Sequence, residues 1–553
     1  LIKILLLGRE AEPVNVASFE NNKAGARIMA HYDYIVVGAG SAGCVVANRL
    51  TEDPETTVLL LEAGNPASQP EIQTPSDWTS LLGTAVDWAY WTEPELGLDG
   101  RKILCSRGKV VGGSSAINAM IYIRGNRQNF DHWQSLGNSG WSYEDVLPYF
   151  KKSENQQRGA SEFHGVGGAL SVTDPIAPSV INAQFIAAAA ELGYVRGAQS
   201  QVVRNADFNG AQQEGAGLYQ LTIKDGQRHS AAAAFLVPIL DRPNLTVQTV
   251  AAVTRLLFES TRAVGVEYRH QETLHQVFVD QEVILSAGVF DSPKLLMLSG
   301  IGNTNHLKAL NIPVIADLPG VGQNLQDHPL VGIGYQSTQA LPPLTLTSNL
   351  VEAGLFVHSS NNGTTPDLQF LFSPALWIGS AIAPDIPGFT FIVCLVEPQS
   401  RGTVTLRSGN SADPPVIQVN YLRHEADLQA LVNGIKIARQ LAYADALAAI
   451  RDKELAPGAD VTSDAAIAAY IRQSANTFWH PVGTCKMGID PLAVVDPELR
   501  VHGVEGLRVV DASIMPTVTT GNTNAPTIMI GEKAADLIKA SHRVPQQISP
   551  IAT

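Results

Sequence analysis

Apolar residues gather in short runs closed by glycine or by a single charge, and the spacing of those runs predicts the elements. Asp33-Tyr-Ile-Val-Val-Gly38 reads as a strand entering a turn, Ser41-Ala-Gly43-Cys-Val-Val as a helix of small residues, and Val58-Leu-Leu-Leu-Glu62 as a second strand. Residues 64–100 are turn-rich and carry Trp78, Trp88, Tyr90 and Trp91, a long excursion that either packs on a ligand or closes the core. Further strands are predicted at 245–250, 253–258, 264–269 and 276–285, the last turning into a helix that starts at Pro293. Residues 330–420 alternate apolar and polar positions between proline turns, with strands at 389–396 and 402–406, the pattern of an antiparallel sheet. A helix is predicted over 424–450, a strand over 507–512, a closing helix over 526–539 and a loose tail over 541–553. No repeat period is evident.

The first three elements form a strand, a glycine turn, a helix and a strand whose final carboxylate, Glu62, lies nineteen residues beyond Gly43. That layout holds a dinucleotide. Gly38 permits the tight turn, Gly40 lets backbone approach a pyrophosphate, and Gly43 lets helix and strand pack closely. The helix N-terminus supplies unpaired N–H groups and a favourable dipole. Glu62 can accept both ribose hydroxyls and repels a 2′-phosphate, so NADP is disfavoured, while FAD and NAD both remain open.

The chain has 553 residues, which predicts two connected domains. Its 38 basic and 52 acidic side chains give a net charge of −14, a surface that repels nucleic acid and anionic lipid. The four cysteines show no metal or disulfide spacing, which points to a reducing cytosol and a cytoplasmic protein. No apolar run reaches the ~18 residues needed to span a bilayer. Residues 1–29 read as an extension ahead of the first strand. No His-Glu-x-x-His or Gly-x-Ser-x-Gly stands in the chain, so no metal is expected and esterase chemistry has little support.

Two segments carry candidate chemistry. Arg107-Gly108-Lys-Val110-Val-Gly112-Gly113-Ser114-Ser115 offers backbone N–H groups with little side-chain bulk, ahead of a predicted helix; it is a phosphate or flavin nest, or only a tight turn. His480 stands between Trp479 and Pro481, and Pro481 and Gly483 restrain the backbone beyond its imidazole, the side chain suited to take a proton near neutral pH. Asn524, just before the last helix, can donate an amide hydrogen bond without changing charge. A hydrogen-bonded structural histidine and a helix-capping asparagine fit the same residues.

Longer motifs narrow the choice. Gly108-Lys-x-Val-Gly112-Gly113-Ser114-Ser115-x-Ile-Asn118, Gly288-Val-x-x-Ser292-Pro293-x-Leu295-Leu296-x-x-Ser299-Gly300-Ile301-Gly302, Asn324-Leu-Gln-Asp327-His328-Pro329 and Gly483-Thr-Cys-Lys-Met-Gly488 resemble the glucose-methanol-choline (GMC) oxidoreductases over nearly all of residues 32–539. The resemblance implies FAD rather than NAD. It implies an α/β FAD-binding dinucleotide fold of three layers (ββα), discontinuous over 30–160, 225–330 and 485–540, joined to an α+β substrate domain built on an antiparallel sheet over 161–224 and 331–484.

The cofactor contacts it implies come from the glycine turn with Ser41 and Ala42, from Glu62 and Ala63, from Gly108, Val110, Gly112, Gly113 and Ser114, and from Asn118, Ala119 and Met120. Val253, Trp479, Asp511, Ala512, Asn522, Asn524 and Ala525 complete the set. His480 falls at the family's catalytic histidine, and Asn524 is expected as the second catalytic residue, a His–Asn pair like that of choline-oxidising members. Ile117 occupies the place of the histidine that bonds FAD covalently in some members, so dissociable FAD is expected. The activity implied is oxidation of a small primary alcohol to an aldehyde, with oxygen or another acceptor taking the electrons. Phe370, Phe372, Trp377, Phe389 and Phe391 suggest an apolar or aromatic substrate if they face the flavin. Hydroxynitrile lyase, fatty-acid photodecarboxylase-like activity and non-catalytic flavin binding are the alternatives; the photodecarboxylase branch lacks a histidine at position 480 and has glycine at 524.

Overall fold

A computed structural model describes residues 31–194, 205–360, 364–378, 381–383 and 385–542. The expected extension at 1–29 and all but the start of the expected tail lie outside these.

The first sheet orders Leu245–Gln248, Val58–Leu61, His31–Val37 and Thr273–Leu285 in parallel, with Leu507–Val509 also parallel to the last of these. Thr273–Leu285 is long enough to serve twice. Its second half pairs in parallel inside the sheet, and its first half runs antiparallel to Arg262–His270, which pairs with Ala251–Glu259. The end of the parallel half, Glu282–Leu285, is buried, while the start of the antiparallel half, Thr273–Gln276, is exposed. Helix Ser41–Leu50 covers the parallel strands and crosses the final helix, Asn524–Ser541, where Gly531 lies against Ala42.

The second sheet is antiparallel throughout, in the order Arg451–Ala456, Pro329–Ser337, Gly388–Leu395, Leu368–Ser373, Ala353–Val357, Gly215–Leu218. Period-2 geometry sends Phe370, Phe372, Phe389 and Phe391 to one face, where they pack with Phe185, Leu431 and Ile435 of the covering helices. The alternate residues Leu330, Gly332, Leu371 and Ile392 look into a cavity between the sheets. The four phenylalanines are therefore core, and of the five aromatic residues suggested for the substrate side only Trp377 lines the cavity, joined there by Trp479.

Three predicted elements differ. The helix expected to start at Pro293 starts at Gly288 and carries Pro293 inside it. Proline cannot bond the carbonyl four residues back, but Thr484 Oγ1 donates to that carbonyl, Val289 O, at 2.6 Å, so the acceptor is not left unpaired. The helix expected after the 107–115 segment is a single 3₁₀ turn, Gly113–Ala116, because Gly112 and Gly113 both take positive φ and the chain then leaves for a short strand. The 424–450 helix breaks at Tyr443 into Glu425–Ala442 and Asp445–Ala448.

Candidate active site

The cavity has a volume of about 1080 Å³ and runs from the glycine turn to His480. Its glycine end is built by backbone. Gly40 is the N-cap of the first helix and no side chain caps the turn, so the first N–H groups stay free for an anion. Gly113, at φ +53°, lies against Gly40: a Cβ there would stand 2.8 Å from Gly40 Cα. Gly112 N donates to Ala39 O at 2.7 Å and joins the two glycine segments into one wall.

Glu62 is buried, and its carboxylate accepts from Ala39 N at 2.9 Å and Gly64 N at 2.7 Å. Burial pushes its pKa up to about 7 against those two hydrogen bonds. Asp511 and Ala512 line the cavity, but the Asp511 carboxylate is engaged by Gly288 N, Ser292 Oγ and Ser513 N, so it shapes the wall.

Gly38, Gly40, Ser41, Ala42, Glu62, Ala63, Gly108, Gly113, Ser114, Asn118, Ala119, Met120, Val253, Trp479, Asn522 and Asn524 also line it. Gly43, Val110, Gly112 and Ala525 do not. Gly43 faces the Gly38 carbonyl, Gly112 is the turn behind Gly113, and Val110 and Ala525 are packed in cores, so all four shape the wall from behind. Trp78, Trp88, Tyr90 and Trp91 all line the cavity, so the 64–100 excursion is its cover.

At the other end the chain is forced into an unusual turn. Trp479 takes φ +59°, a left-handed conformation rare for a bulky residue. Its N–H donates to Thr477 Oγ1 at 2.7 Å, and its carbonyl accepts from Arg107 Nη2 at 2.5 Å. Asp327 gathers the surroundings, accepting from His480 N at 2.7 Å, His328 N at 2.9 Å, Thr477 Oγ1 at 2.5 Å and the Tyr421 hydroxyl. His480 is thereby held from its backbone, with its ring free to face the cavity.

The hydrogen bonds around that ring choose its tautomer. Tyr219 OH donates to Phe370 O and meets Gln369 Nε2 at 3.1 Å, and Gln369 Nε2 reaches Asn522 Oδ1 at 3.3 Å. Asn522 therefore presents Nδ2 to His480 Nε2, 3.2 Å away, and that nitrogen accepts. His480 Nδ1 then carries the proton and donates to His328 Nδ1 at 3.0 Å. Burial, then His328, then Arg107 hold the His480 pKa well below its ordinary value, and burial lowers His328 to about 3. Both rings are neutral near pH 7, and the Nε2 lone pair of His480 meets Asn522 at the cavity wall.

One expectation is corrected here. Asn524 is not the residue beside His480: its Oδ1 accepts from Ser41 Oγ at 2.7 Å, at the glycine end. Asn524 is the first residue of the last helix and turns toward the first helix, while Asn522 lies in the preceding loop and faces His480. Asp327, His328, Arg107 and Gln369 had no role assigned from sequence. The only available signal was an acid and a histidine side by side in the Asn324–Pro329 motif.

The wall of N–H donors and the buried acceptor of Glu62 fit a dinucleotide diphosphate and ribose, and the opposite end holds a neutral base. This is the site of a nucleotide-cofactor oxidoreductase. Family models described as GMC oxidoreductase match residues 32–330 and 398–531, and the chain belongs to that family. It is 43% identical over 576 residues to the choline dehydrogenase, mitochondrial, of Homo sapiens, covering 96% of this chain and 95% of that one. It is 44% identical over 535 residues to an alcohol dehydrogenase [acceptor] of Pseudomonas putida, covering 92% and 95%. Among solved structures, pyridoxine 4-oxidase from Mesorbium loti superposes with a TM-score of 0.87 at 34% identity, covering 93% of this chain and 100% of that one. The protein is thus an FAD-family oxidoreductase acting on CH–OH donors. Among the described residues no helix is long and apolar enough to cross a membrane, and no group of side chains could hold a metal ion.

Proposed function

We propose that this enzyme oxidises an uncharged apolar or aromatic primary alcohol to its aldehyde. The observation that carries the reading is the wall beside His480: Trp78, Met120, Leu330, Val351, Leu371, Trp377, Ile392 and Trp479 form one hydrophobic cluster that lines the cavity. Four of the cavity's five carboxylates are engaged elsewhere, Glu62 with Ala39 and Gly64, Glu93 with Arg407, Asp291 with Tyr90 and Asp511 with Gly288, and the fifth, Glu272, lies in the turn between the strands Arg262–His270 and Thr273–Leu285, outside this cluster. The Pseudomonas putida relative, named as an alcohol dehydrogenase, fits this reading.

In the proposed reaction the alcohol hydroxyl replaces Asn522 at the single Nε2 lone pair of His480, which takes the hydroxyl proton. Asn522 Nδ2 donates to the alcohol oxygen as negative charge grows on it, and the carbinol C–H leaves as hydride. FAD, when bound, supplies the acceptor for that hydride, so alcohol loses one proton and two electrons with the second hydrogen. The Nδ1–H to His328 holds the ring in the orientation that keeps Nε2 available. Ile117, which lines the cavity, carries no nucleophile, so the cofactor is expected in the supernatant after acid precipitation.

A second reading is choline, the substrate in the human relative's name. Stacked and edge-on indoles, Trp78 at 6.1 Å from both Trp377 and Trp479, offer faces to a quaternary ammonium. Its fixed charge would find no carboxylate in this cluster.

Anaerobic flavin absorbance with aryl, alkyl, choline and sugar alcohols separates these. Bleaching by benzylic or alkyl alcohols at low concentration is the expected result, and air or an added acceptor then restores the spectrum. Bleaching by choline alone would replace the first reading by the second, and an unchanged spectrum with every alcohol would remove both.

The two asparagines are expected to separate as well. Asn522→Ala should lower kcat by roughly 10²-fold, the scale of one donor to a developing oxyanion, with FAD content unchanged. Asn524→Ala should weaken FAD retention and leave the rate of the loaded enzyme nearly intact. Exchanged phenotypes would return the catalytic role to Asn524.

A further inference from the structure

Arg228 lies in the strand Gln227–Arg228 and is 3% exposed. Its Nε donates to Ile72 O at 2.7 Å, and Nη1 donates to Asn118 O at 2.5 Å, Asn118 Oδ1 at 2.8 Å and Ser115 O at 3.3 Å. Nη2 is buried and bonds no protein atom. Every acceptor is neutral. The other large buried arginines differ: Arg124 sits on Glu154 and Arg508 on Glu282. Burial alone, with no carboxylate acting against it, pulls the Arg228 pKa down to about 9, so it stays charged at neutral pH. Holding backbone carbonyls needs only neutral donors, and an unpaired buried cation is among the most expensive groups in a protein interior. A charge kept under those terms has work to do on a neighbour.

That neighbour is Asn118. Its Oδ1 accepts from Arg228 Nη1 and from Met120 N at 3.0 Å. Both partners are donors, so the atom they meet is oxygen and the amide nitrogen points away from them. Asn118 lines the cavity, and Met120, two residues on, belongs to the cluster that includes Trp479 beside His480. A ring that receives hydride from a substrate held by His480 must sit at this end.

We propose that Arg228 is a positioning residue of the FAD site: it aims Asn118 Nδ2 into the cavity as a donor and sets a buried positive charge behind it, favouring negative charge on the ring. The inference rests on the family's FAD site and on the hydride transfer beside His480 proposed above, not on which alcohol is oxidised.

The test is sulfite titration of the purified holoenzyme, followed by absorbance, with the flavin midpoint potential measured alongside. Sulfite adds to the ring as an anion, so its dissociation constant reads how well negative charge is held there. Arg228→Met should raise that constant by at least about tenfold, the scale of one charge-assisted hydrogen bond, and lower the potential, while Arg228→Lys stays near wild type. Equal sulfite affinity in Arg228→Met and wild type would overturn the proposal. So would an Arg228→Lys protein as impaired as Arg228→Met, since charge would then not matter. If Arg228→Met purifies without FAD, Asn118→Asp carries the test, because it neutralises the guanidinium in place and removes the donor. Weaker sulfite binding is expected of it, and unchanged binding overturns the proposal. No alcohol enters the experiment, so its result stands whatever the substrate proves to be.

Discussion

His480→Ala is expected to lower kcat/KM for the best alcohol by roughly 10²–10⁴, the loss typical of an aligned general base, while FAD content and folding stay as they are. The prediction follows from how the ring is held. Its backbone N–H is fixed to Asp327 and its Nδ1–H to His328, so removing the imidazole leaves the turn at Trp479 with its own anchors, Thr477 and Arg107. The pH profile is the companion readout. His480 acts only when neutral, and burial, His328 and the nearby Arg107 hold its pKa well below the ordinary value. Activity is therefore fully present at pH 7 and lost as pH falls through a value below ~6.5. An acid limb at or above pH 7, or a His480→Ala enzyme close to wild type, would remove His480 from the reaction.

Gly43→Ala has the largest effect expected on the fold and on cofactor retention together. A Cβ at Gly43 would stand 1.9 Å from the Gly38 carbonyl oxygen, a distance no rotamer change relieves because both partners are backbone. Either the first helix moves away from the first strand or the glycine turn opens, and both destroy the N–H array at Gly40 and Ser41. A loss of about 3 kcal/mol or more is expected, with protein that elutes without the flavin absorbance band and melts at lower temperature. Gly40→Ala is the contrasting variant. Its nearest neighbour to a new Cβ is Ser286 O at 4.0 Å, so the fold should hold, with only the cofactor's approach obstructed. If both variants keep FAD equally well, the turn is not where the diphosphate lies.

The strand-turn-helix-strand entry was legible because its causes are local. Only glycine fits at 38 and 43, and only an apolar run can be buried as the His31–Val37 strand. The antiparallel sheet was legible from its alternation, and the final helix from its long periodic run. The helix at 288 was misread at its start because the remedy for Pro293, the Thr484 hydroxyl, lies 191 positions away in the chain, outside any local pattern.

The site divides in the same way. Gly38, Gly40 and Glu62 could be named from the chain alone, because turn sterics and a carboxylate at the end of a strand carry their own reason, whereas the imidazole of His480 stood level with a structural histidine until the family resemblance singled it out. What the chain could not decide was direction. Phe370 and Leu371 are adjacent, yet one is core and the other cavity wall, and that choice belongs to which face of the sheet the helices cover. Asn522 and Asn524 are two positions apart, yet one meets His480 and the other Ser41, because a loop and a helix start point different ways. The tautomer of His480 depends on Gln369, Asn522 and His328, three residues from separate segments that only the packed sheets bring together. Local sterics and patterning therefore determined the glycine turn and the longer motifs nominated His480, while the orientation of each polar group around that ring was decided by tertiary packing, since hydrogen-bond direction is set by partners distant in sequence.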